Sequence, residues 1–127
     1  MYRILVVDDE AKIRLLIRKY AEFEGHEVTE AENGMEAVRL FRRTPDAFDI
    51  VIMDVMMPVR DGHEATRAIR AMDRPDAKTI PIFAMTANAF TEDRRKALES
   101  GMNEHLSKPI DPDALYRLLV KYLTERS

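Results

Sequence analysis

The polar side chains of this sequence that could do chemistry stand at the ends of short apolar segments. Residues 50–53 are apolar and mostly branched, which is typical of a strand buried on both faces, and an acid follows them directly. The side chains in such positions are Asp8, Asp9, Asp54, Thr86 and Lys108. Because ligands bind beside the carboxyl ends of parallel strands, we expect these side chains to form one site. The alternative is that Asp54 is a solvated residue at the start of a loop.

The residue types indicate phosphoryl chemistry that depends on a metal. Three carboxylates in one crevice would repel each other unless a divalent cation held them, and hard oxygen ligands favour Mg²⁺. An amine and a hydroxyl opposite a metal suit charge that is spread over phosphoryl oxygens. Asp54 would then be the nucleophile that accepts a phosphoryl group, with Lys108 stabilising the added charge and Thr86 hydrogen-bonding one oxygen.

The segments that carry these residues alternate between strand and helix patterns. Strands are predicted at residues 2–7, 26–31, 48–53, 80–85 and 104–107. Helices are predicted at residues 11–24, 35–43, 63–72, 91–100 and from 112 onward, the last one capped by Asp111. A polar loop containing Pro75 is expected before the fourth strand. Five strand–helix units in this order predict an α/β fold with one parallel sheet and helices on both of its faces.

Local signals predict several turns and surface positions. Gly25 can end the first helix in a left-handed conformation, and Asn33-Gly34 is expected to form a turn. The second strand is the most polar and is expected at the edge of the sheet. His26 and His63 are expected at the surface. The apolar stripe of the first helix is predicted to contain Ile13, Leu16, Ile17, Tyr20, and Phe23 or Glu24.

Length and composition favour one globular domain over residues 1–127. The chain has 46% hydrophobic residues and a net charge of -3. It has no cysteine, which excludes a disulfide framework and a thiol nucleophile. Its basic residues are scattered, so no direct contact with nucleic acid is expected. The early apolar run 4–7 is interrupted by acids, and no run approaches the ~20 apolar residues of a membrane span. We therefore expect no signal peptide, no membrane insertion and a cytoplasmic location.

Taken in order, the motifs of the sequence resemble those of a known family. They are VVDDE at 6–10, MD at 53–54, MP at 57–58, DG at 61–62, MTA at 85–87 and KP at 108–109. This set resembles the receiver domain of two-component response regulators, of the chemotaxis-regulator type, over essentially the whole chain. Residues 85–110 are most similar to the receivers of hybrid sensor kinases. The resemblance implies a doubly wound, flavodoxin-like (βα)5 domain with strand order 2-1-3-4-5.

The resemblance also implies a role for each site residue. Asp54 would be the phosphoacceptor, and Asp9, Asp54 and the backbone carbonyl of Met56 would bind Mg²⁺ directly. Asp8 would bind the metal through water or hold the cluster, and the Lys108-Pro109 peptide bond would be cis. The phosphoryl donor would be a phosphohistidine on a histidine kinase or a histidine phosphotransfer protein. The phosphorylated domain would signal to a downstream protein or output domain and then lose its phosphate by hydrolysis.

Two positions depart from the pattern of this family. His105 stands three residues before Lys108, where the family usually has Tyr or Phe, and Arg60 replaces the usual apolar residue before Asp-Gly. In receivers the aromatic residue moves inward when the Thr hydroxyl turns toward the phosphate. Thr86 and His105 are therefore the candidate switch pair, and the alternative is an exposed His105 that never moves.

Other function classes stay open at this point. A haloacid dehalogenase-like phosphatase also uses Mg²⁺ and an aspartyl phosphate, but it would need a second acid where this chain has Met56. A phosphate-independent interaction module is a third possibility. We expect no enzymatic activity beyond self-phosphorylation and self-dephosphorylation. The sequence leaves the oligomeric state open.

Overall fold

The computed structural model describes residues 2–57, 61–86 and 91–126. Three residues discussed above, Pro58, Arg60 and Ala87, lie outside these ranges. Within the described residues, no helix has the length and apolar character needed to cross a membrane.

Five parallel strands form a single sheet, as the sequence predicts. They are β1 (Arg3–Val7), β2 (Glu27–Ala31), β3 (Ile50–Asp54), β4 (Ile82–Thr86) and β5 (Glu104–Ser107). Their order is β2-β1-β3-β4-β5, which confirms both the predicted topology and the position of β2 at an edge. The register pairs Val7 with Met53 and Thr86 with Ser107, so the strands end at nearly the same level. This alignment brings the residues that follow the strands to one edge of the sheet, which we call the carboxyl edge.

Six helices accompany the sheet in the part of the chain that the structure describes. They are α1 (Ala11–Phe23), α2 (Gly34–Arg43), α3 (Gly62–Arg70), α4 (Pro75–Thr79), α5 (Thr91–Ser100) and α6 (Pro112–Arg126). The start of α6 is as predicted, since the Asp111 carboxylate accepts a hydrogen bond from the Asp113 backbone at 3.1 Å. Gly25 has a φ of 86°, so it ends α1 in the left-handed region, as expected.

Alternating strand residues divide the core into two layers. One layer packs Leu5 and Val51 against α2, α3, α4 and α5, and includes the buried ring of Phe41. The other packs Ile4 and Ile52 against α1 and α6. Because successive side chains of a strand point to opposite faces, a sheet covered on both faces needs apolar residues at every position. All five residues of β3 are buried, and the last of them is Asp54.

Several local predictions were wrong. The expected loop at Pro75 is the short helix α4, which has Pro75 at its first position and buries Ala77. Asn33-Gly34 does not form a separate turn, because Asn33 caps α2 by accepting a hydrogen bond from the Glu36 backbone at 2.8 Å. Phe23 is 83% exposed and leaves the stripe of α1, which buries Ile17 and Ala21.

His26 and His63, which the sequence predicts at the surface, are half-buried. The Tyr2 backbone N–H donates to Nδ1 of His26 at 2.9 Å, and the His26 ring stacks on that of Tyr2. Nδ1 of His63 lies 3.1 Å from Oγ of Ser100, which joins the first turn of α3 to the end of α5. Each imidazole thus finds a polar partner in tertiary structure that its local sequence does not indicate.

Candidate functional site

The carboxyl edge brings two aspartates together around one lysine. Asp8 follows β1 and Asp54 ends β3, and these two strands are hydrogen-bonded neighbours. Nζ of Lys108 lies 3.0 Å from Oδ2 of Asp8 and 3.3 Å from Oδ2 of Asp54. Lys108 follows β5, so three separate strands supply this group of charges.

Burial makes both carboxylates hard to ionise. Asp8 is fully buried and Asp54 is 3% exposed. The pKa of Asp54 is raised to about 6, chiefly by burial and also by the charge of Asp8, although the Met56 backbone N–H and Lys108 oppose the increase. The pKa of Asp8 is also raised, chiefly by burial, although hydrogen bonds from the Glu10 backbone and Lys108 oppose the increase. One lysine therefore does not fully neutralise this pair of acids.

Lys108 itself is stabilised in its charged form. Burial on its own lowers the pKa of an amine, but the two carboxylates outweigh it, and the pKa of Lys108 is raised. The Lys108 backbone N–H donates to the carbonyl of Thr86 at 2.8 Å, which ties the end of β5 to the end of β4. The Lys108-Pro109 peptide bond is cis, as the resemblance implied.

Described residues on both sides of positions 58–60 hydrogen-bond close to Asp54. The Met56 backbone N–H donates to Oδ1 of Asp54 at 3.2 Å, and the Gly62 N–H donates to the Val55 carbonyl at 3.2 Å. A Cβ atom at Gly62 would lie only 2.3 Å from the Asp54 carbonyl oxygen. Asp61 then caps α3 by accepting a hydrogen bond from the Glu64 backbone. Position 62 needs glycine because the backbone of Asp54 and Val55 leaves no room there for a Cβ atom.

Thr86 brings an unused hydroxyl to this edge. Its side chain is 2% exposed, and Oγ1 has no hydrogen-bond partner among the described residues. A buried hydroxyl without a hydrogen bond costs free energy. The Thr86 hydroxyl would therefore gain stability by donating to a group added at this edge. Thr86 ends β4, the neighbour of β3, so it lies one strand away from Asp54.

Carboxylate oxygens of Asp8, Asp9 and Glu10 all lie within 4.8 Å of one another. Asp8 is buried, and the other two acids are exposed. Together with Asp54 they provide only hard oxygen donors, which fit Mg²⁺ and do not select a soft metal. Exposed Met56 and buried Met53 therefore act in the loop surface and the core rather than as sulfur ligands.

A comparison with known proteins shows which family this arrangement belongs to. The family model of the response regulator receiver domain matches residues 4–120. The chain belongs to this family. The acids, Thr86 and Lys108 are therefore residues of a two-component receiver domain.

Individual relatives agree with this assignment. The receiver is 44% identical over 119 residues to an uncharacterised 14.6 kDa protein of Leptolyngbya boryana, covering 94% of this chain and 88% of that protein. It is 40% identical over 121 residues to the sensor protein GacS of Pseudomonas syringae pv. syringae, covering 94% of this chain but 13% of GacS. The chain therefore spans only a small part of some of the relatives that it matches.

A solved structure gives a close structural match. The receiver domain of the sensor histidine kinase PA1611 from Pseudomonas aeruginosa PAO1 has a TM-score of 0.86 and 36% identity, covering 97% of this chain and 98% of that one. That neighbour has a magnesium ion coordinated in its active site cleft.

The structure brings some of the predicted site residues together and places one elsewhere. Lys108 contacts both Asp8 and Asp54, Asp9 lies beside Asp8, and Thr86 ends the strand next to that of Asp54. His105 is half-buried on β5 opposite Ala84 and lines a cavity of about 360 Å³ with Ala97 and Leu98 of α5. His105 therefore lies beside α5, on the strand that leads to Lys108.

Sequence reasoning missed two residues at this edge. Glu10 belongs to the carboxylate cluster, whereas the sequence indicated only Asp8 and Asp9 of these three acids as metal ligands. Arg14 donates from a guanidinium nitrogen to the backbone carbonyl of Asp8 at 2.8 Å. A signal for Arg14 was available, because it stands three residues before buried Ile17 on the inward side of α1 and a charge there needs a partner.

Proposed function

We propose that this receiver domain is a phosphoacceptor in a two-component phosphorelay and that Asp54 takes the phosphoryl group. The observation that carries the proposal is the pair of buried carboxylates, Asp8 and Asp54, held 3.0 and 3.3 Å from one Lys108 ammonium. One lysine does not fully neutralise these two buried acids. Binding of a cation or reaction with a chemical partner would therefore stabilise them.

The proposed transfer uses an oxygen of Asp54 as the nucleophile. This oxygen attacks the phosphorus of a phosphohistidine whose other ring nitrogen carries a proton, the P–N bond breaks, and the imidazole of the donor leaves as a neutral ring. Lys108 stabilises the charge on the phosphoryl oxygens, and the Thr86 hydroxyl donates to one of them. In the return step, water attacks phosphorus, the bond to Asp54 breaks, and inorganic phosphate leaves.

We propose Mg²⁺ as the cofactor, held by Asp8, Asp9, Asp54 and the carbonyl of Met56. The donor set of this chain and the magnesium ion of the PA1611 receiver support this part of the proposal. When bound, Mg²⁺ supplies positive charge to the phosphoryl oxygens. Asp54 then reacts as an ionised carboxylate despite its raised pKa, because added positive charge favours the ionised form.

The proposed partners are a histidine kinase or a histidine phosphotransfer protein upstream and a protein or output domain downstream. Thr86 and His105 form the proposed switch between the site and the surface of the last two strand–helix units. We further propose that residues 1–127 make up one receiver domain without turnover of external substrates. Because phosphohistidine is made from ATP, we place this exchange in the cytoplasm.

Phosphate incorporation tests the proposal directly. The protein is incubated with acetyl phosphate and Mg²⁺, and intact mass is measured for wild type and Asp54→Ala. Wild type is expected to gain one phosphoryl group that hydroxylamine removes, and Asp54→Ala is expected to gain none. Absence of incorporation in wild type would favour an interaction module, and sustained hydrolysis of unrelated phosphate monoesters would favour a phosphatase.

Lys108→Ala and Thr86→Ala separate transfer from signalling. Both variants are expected to keep some incorporation, since Asp54 is intact. Lys108→Ala is expected to lose the phosphate-dependent NMR shifts across β5 and α6, because it removes the charge that links the site to β5. Intact shifts in Lys108→Ala would contradict its role in coupling.

A further inference from the structure

Arg14 links the first turns of α1 to two strands. Its Nε donates to Oε1 of Glu30 on β2 at 2.9 Å, and another guanidinium nitrogen donates to the Asp8 carbonyl at 2.8 Å. The Arg14 side chain is only 12% exposed, so these bonds are largely shielded from water. Arg14 thus touches the backbone of the acid cluster while its carboxylate partner lies on the neighbouring strand.

The Asp8 main chain is held on both sides of its Cα atom. Its N–H donates to the Ala31 carbonyl of β2 at 3.2 Å, and its carbonyl accepts from Arg14. The Asp8 carbonyl belongs to the same planar peptide unit as the Asp9 N–H, so fixing one orients the other. Arg14 therefore sets the direction in which the chain enters Asp9.

Glu30 anchors the guanidinium that performs this task. Burial raises the pKa of Glu30, but hydrogen bonds from Arg14 and Arg18 outweigh it and hold the pKa below its usual range. Arg18 donates to Oε2 of Glu30 at 2.8 Å and also pairs with Glu22. The two arginines share one carboxylate, and the bond to the Asp8 carbonyl comes from Arg14.

We propose that Arg14 is a positioning residue for the metal site, acting through the Asp8–Asp9 peptide unit. This inference rests on the proposed function, because it assigns Asp9 as a Mg²⁺ ligand. Partners that orient the ligands of a metal affect its affinity by about 10–100-fold when they are removed. The bonds of Arg14 orient a ligand-bearing backbone in the same way.

Charge and geometry make opposite predictions for Arg14. Removing a cation near an acid cluster strengthens the attraction of that cluster for Mg²⁺ if only Coulomb energy changes. Releasing the Asp8–Asp9 peptide unit weakens binding, because Asp9 must then be ordered when the metal binds. The sign of the change in affinity therefore distinguishes the two effects.

The test is a titration of the full chain with Mg²⁺ alone, followed by calorimetry and by the NMR shifts of backbone amides 8–10. Arg14→Met is expected to weaken Mg²⁺ binding about tenfold. The matched control Arg18→Met removes a cation from the same Glu30 carboxylate and is expected to leave affinity unchanged or slightly higher. Arg14→Lys keeps the charge but loses the planar fork, and it is also expected to bind Mg²⁺ more weakly than wild type.

Each outcome decides the inference. Unchanged or tighter binding by Arg14→Met, with normal binding by wild type, would overturn the positioning role and leave the proposed function intact. No Mg²⁺ binding by wild type would overturn the proposed function as well. If Arg14→Met does not fold, Glu30→Gln replaces it, since it releases the anchor but keeps the arginine, and unchanged affinity in that variant would overturn the inference.

Discussion

Aspartates lie at both ends of the sheet, but their electrostatic environments are opposite. At the carboxyl edge, the pKa values of Asp8 and Asp54 are raised, chiefly by burial. At the other end, which we call the amino edge, burial also raises the pKa of Asp76, but the Asp46 backbone N–H and Arg74 outweigh it and the pKa is lowered. The same residue type is thus disfavoured as an anion at one end and favoured at the other.

The partners of each acid explain this difference. At the amino edge, Asp49 accepts from the Arg3 backbone at 2.8 Å and from its guanidinium at 3.2 Å. Asp76 pairs there with Arg74 at 2.9 Å, so each acid has its own arginine. At the carboxyl edge, two buried acids share one lysine. The amino edge pairs its buried charge, whereas the carboxyl edge keeps negative charge that one lysine does not fully neutralise.

The largest expected effect tests how tightly the carboxyl edge is packed. Gly62→Ala should lower the free energy of unfolding by about 3 kcal/mol, because its Cβ would meet the backbone of Asp54 and Val55. The control at the amino edge is Gly25→Ala, where nothing lies within 4 Å of the added atom. There only the positive φ matters, and the cost should be about 1 kcal/mol. Equal losses in urea unfolding would contradict this difference in packing.

A second prediction tests the amino edge. Arg74→Met should lower the free energy of unfolding by about 2 kcal/mol, since it removes several charge-assisted contacts. Arg74 donates to the Phe41 and Arg42 carbonyls at the end of α2, pairs with Asp76 and stacks over the Phe41 ring at 4.7 Å. Urea unfolding measures the change.

The control for Arg74→Met is Arg117→Met. Arg117 is exposed and donates to the Asp113 carbonyl one turn earlier at 3.3 Å, so its loss should change stability little. A similar small change in Arg74→Met would show that the amino edge does not depend on this arginine.

A third prediction compares the two edges directly. Without Mg²⁺ at pH 7, Asp54→Asn should raise the free energy of unfolding by about 0.5–2 kcal/mol, because it relieves an unneutralised buried charge. Asp76→Asn should lower it by about 1 kcal/mol, because that carboxylate is well paired. Added Mg²⁺ should reduce the advantage of Asp54→Asn by stabilising wild type. A destabilised Asp54→Asn protein would contradict the account of the carboxyl edge.

The contributions of Asp54 and Asp76 to the free energy of unfolding should change in opposite directions as pH changes. Asp54 has a pKa of about 6 in the folded state against a usual value of 3.8, so the folded protein holds its proton to higher pH. Wild type should therefore lose stability as pH rises from 4 to 6, a loss that Asp54→Asn lacks. For Asp76, whose pKa is lowered, the contribution is present at neutral pH and is lost as pH falls through the folded pKa. Unfolding curves from about pH 2 to 7 measure both slopes, the Asp54 slope above pH 4 and the Asp76 slope below it.

The smallest expected effect concerns His105, which lies on β5 beside α5. An imidazole fills an inward pocket less well than a phenol. His105→Tyr should therefore strengthen the coupling between the movement of Thr86 and the conformation of the surface. Beryllofluoride, a mimic of the phosphoryl group, should then cause larger NMR shifts along α5 in His105→Tyr than in wild type. The coupling gain should be below about 1 kcal/mol, at the low end of allosteric effects. Identical shifts in wild type, His105→Tyr and His105→Ala would exclude His105 from the switch.

The sequence by itself determined the order of the five strands, the helices other than α4, and the residues at the ends of the strands. Apolar runs such as 50–53 and the helical spacing in α2 are local patterns, and local patterns fix strand and helix over a few residues. Because parallel strands end at one edge, the convergence of Asp8, Asp54 and Lys108 followed from topology alone.

Only the tertiary structure decided which partners those side chains have. Arg74 reaches carbonyls of α2 that lie 32 and 33 positions earlier, and Arg14 meets Glu30 across 16 positions. The exposure of Phe23 and the short helix α4 likewise depend on what packs beside them. The raised pKa of Asp54 has the same origin, because burial and the charges of Asp8 and Lys108 arise only when three strands come together. Local pattern specifies a residue's position, whereas solvation and charge depend on neighbours that are distant in sequence.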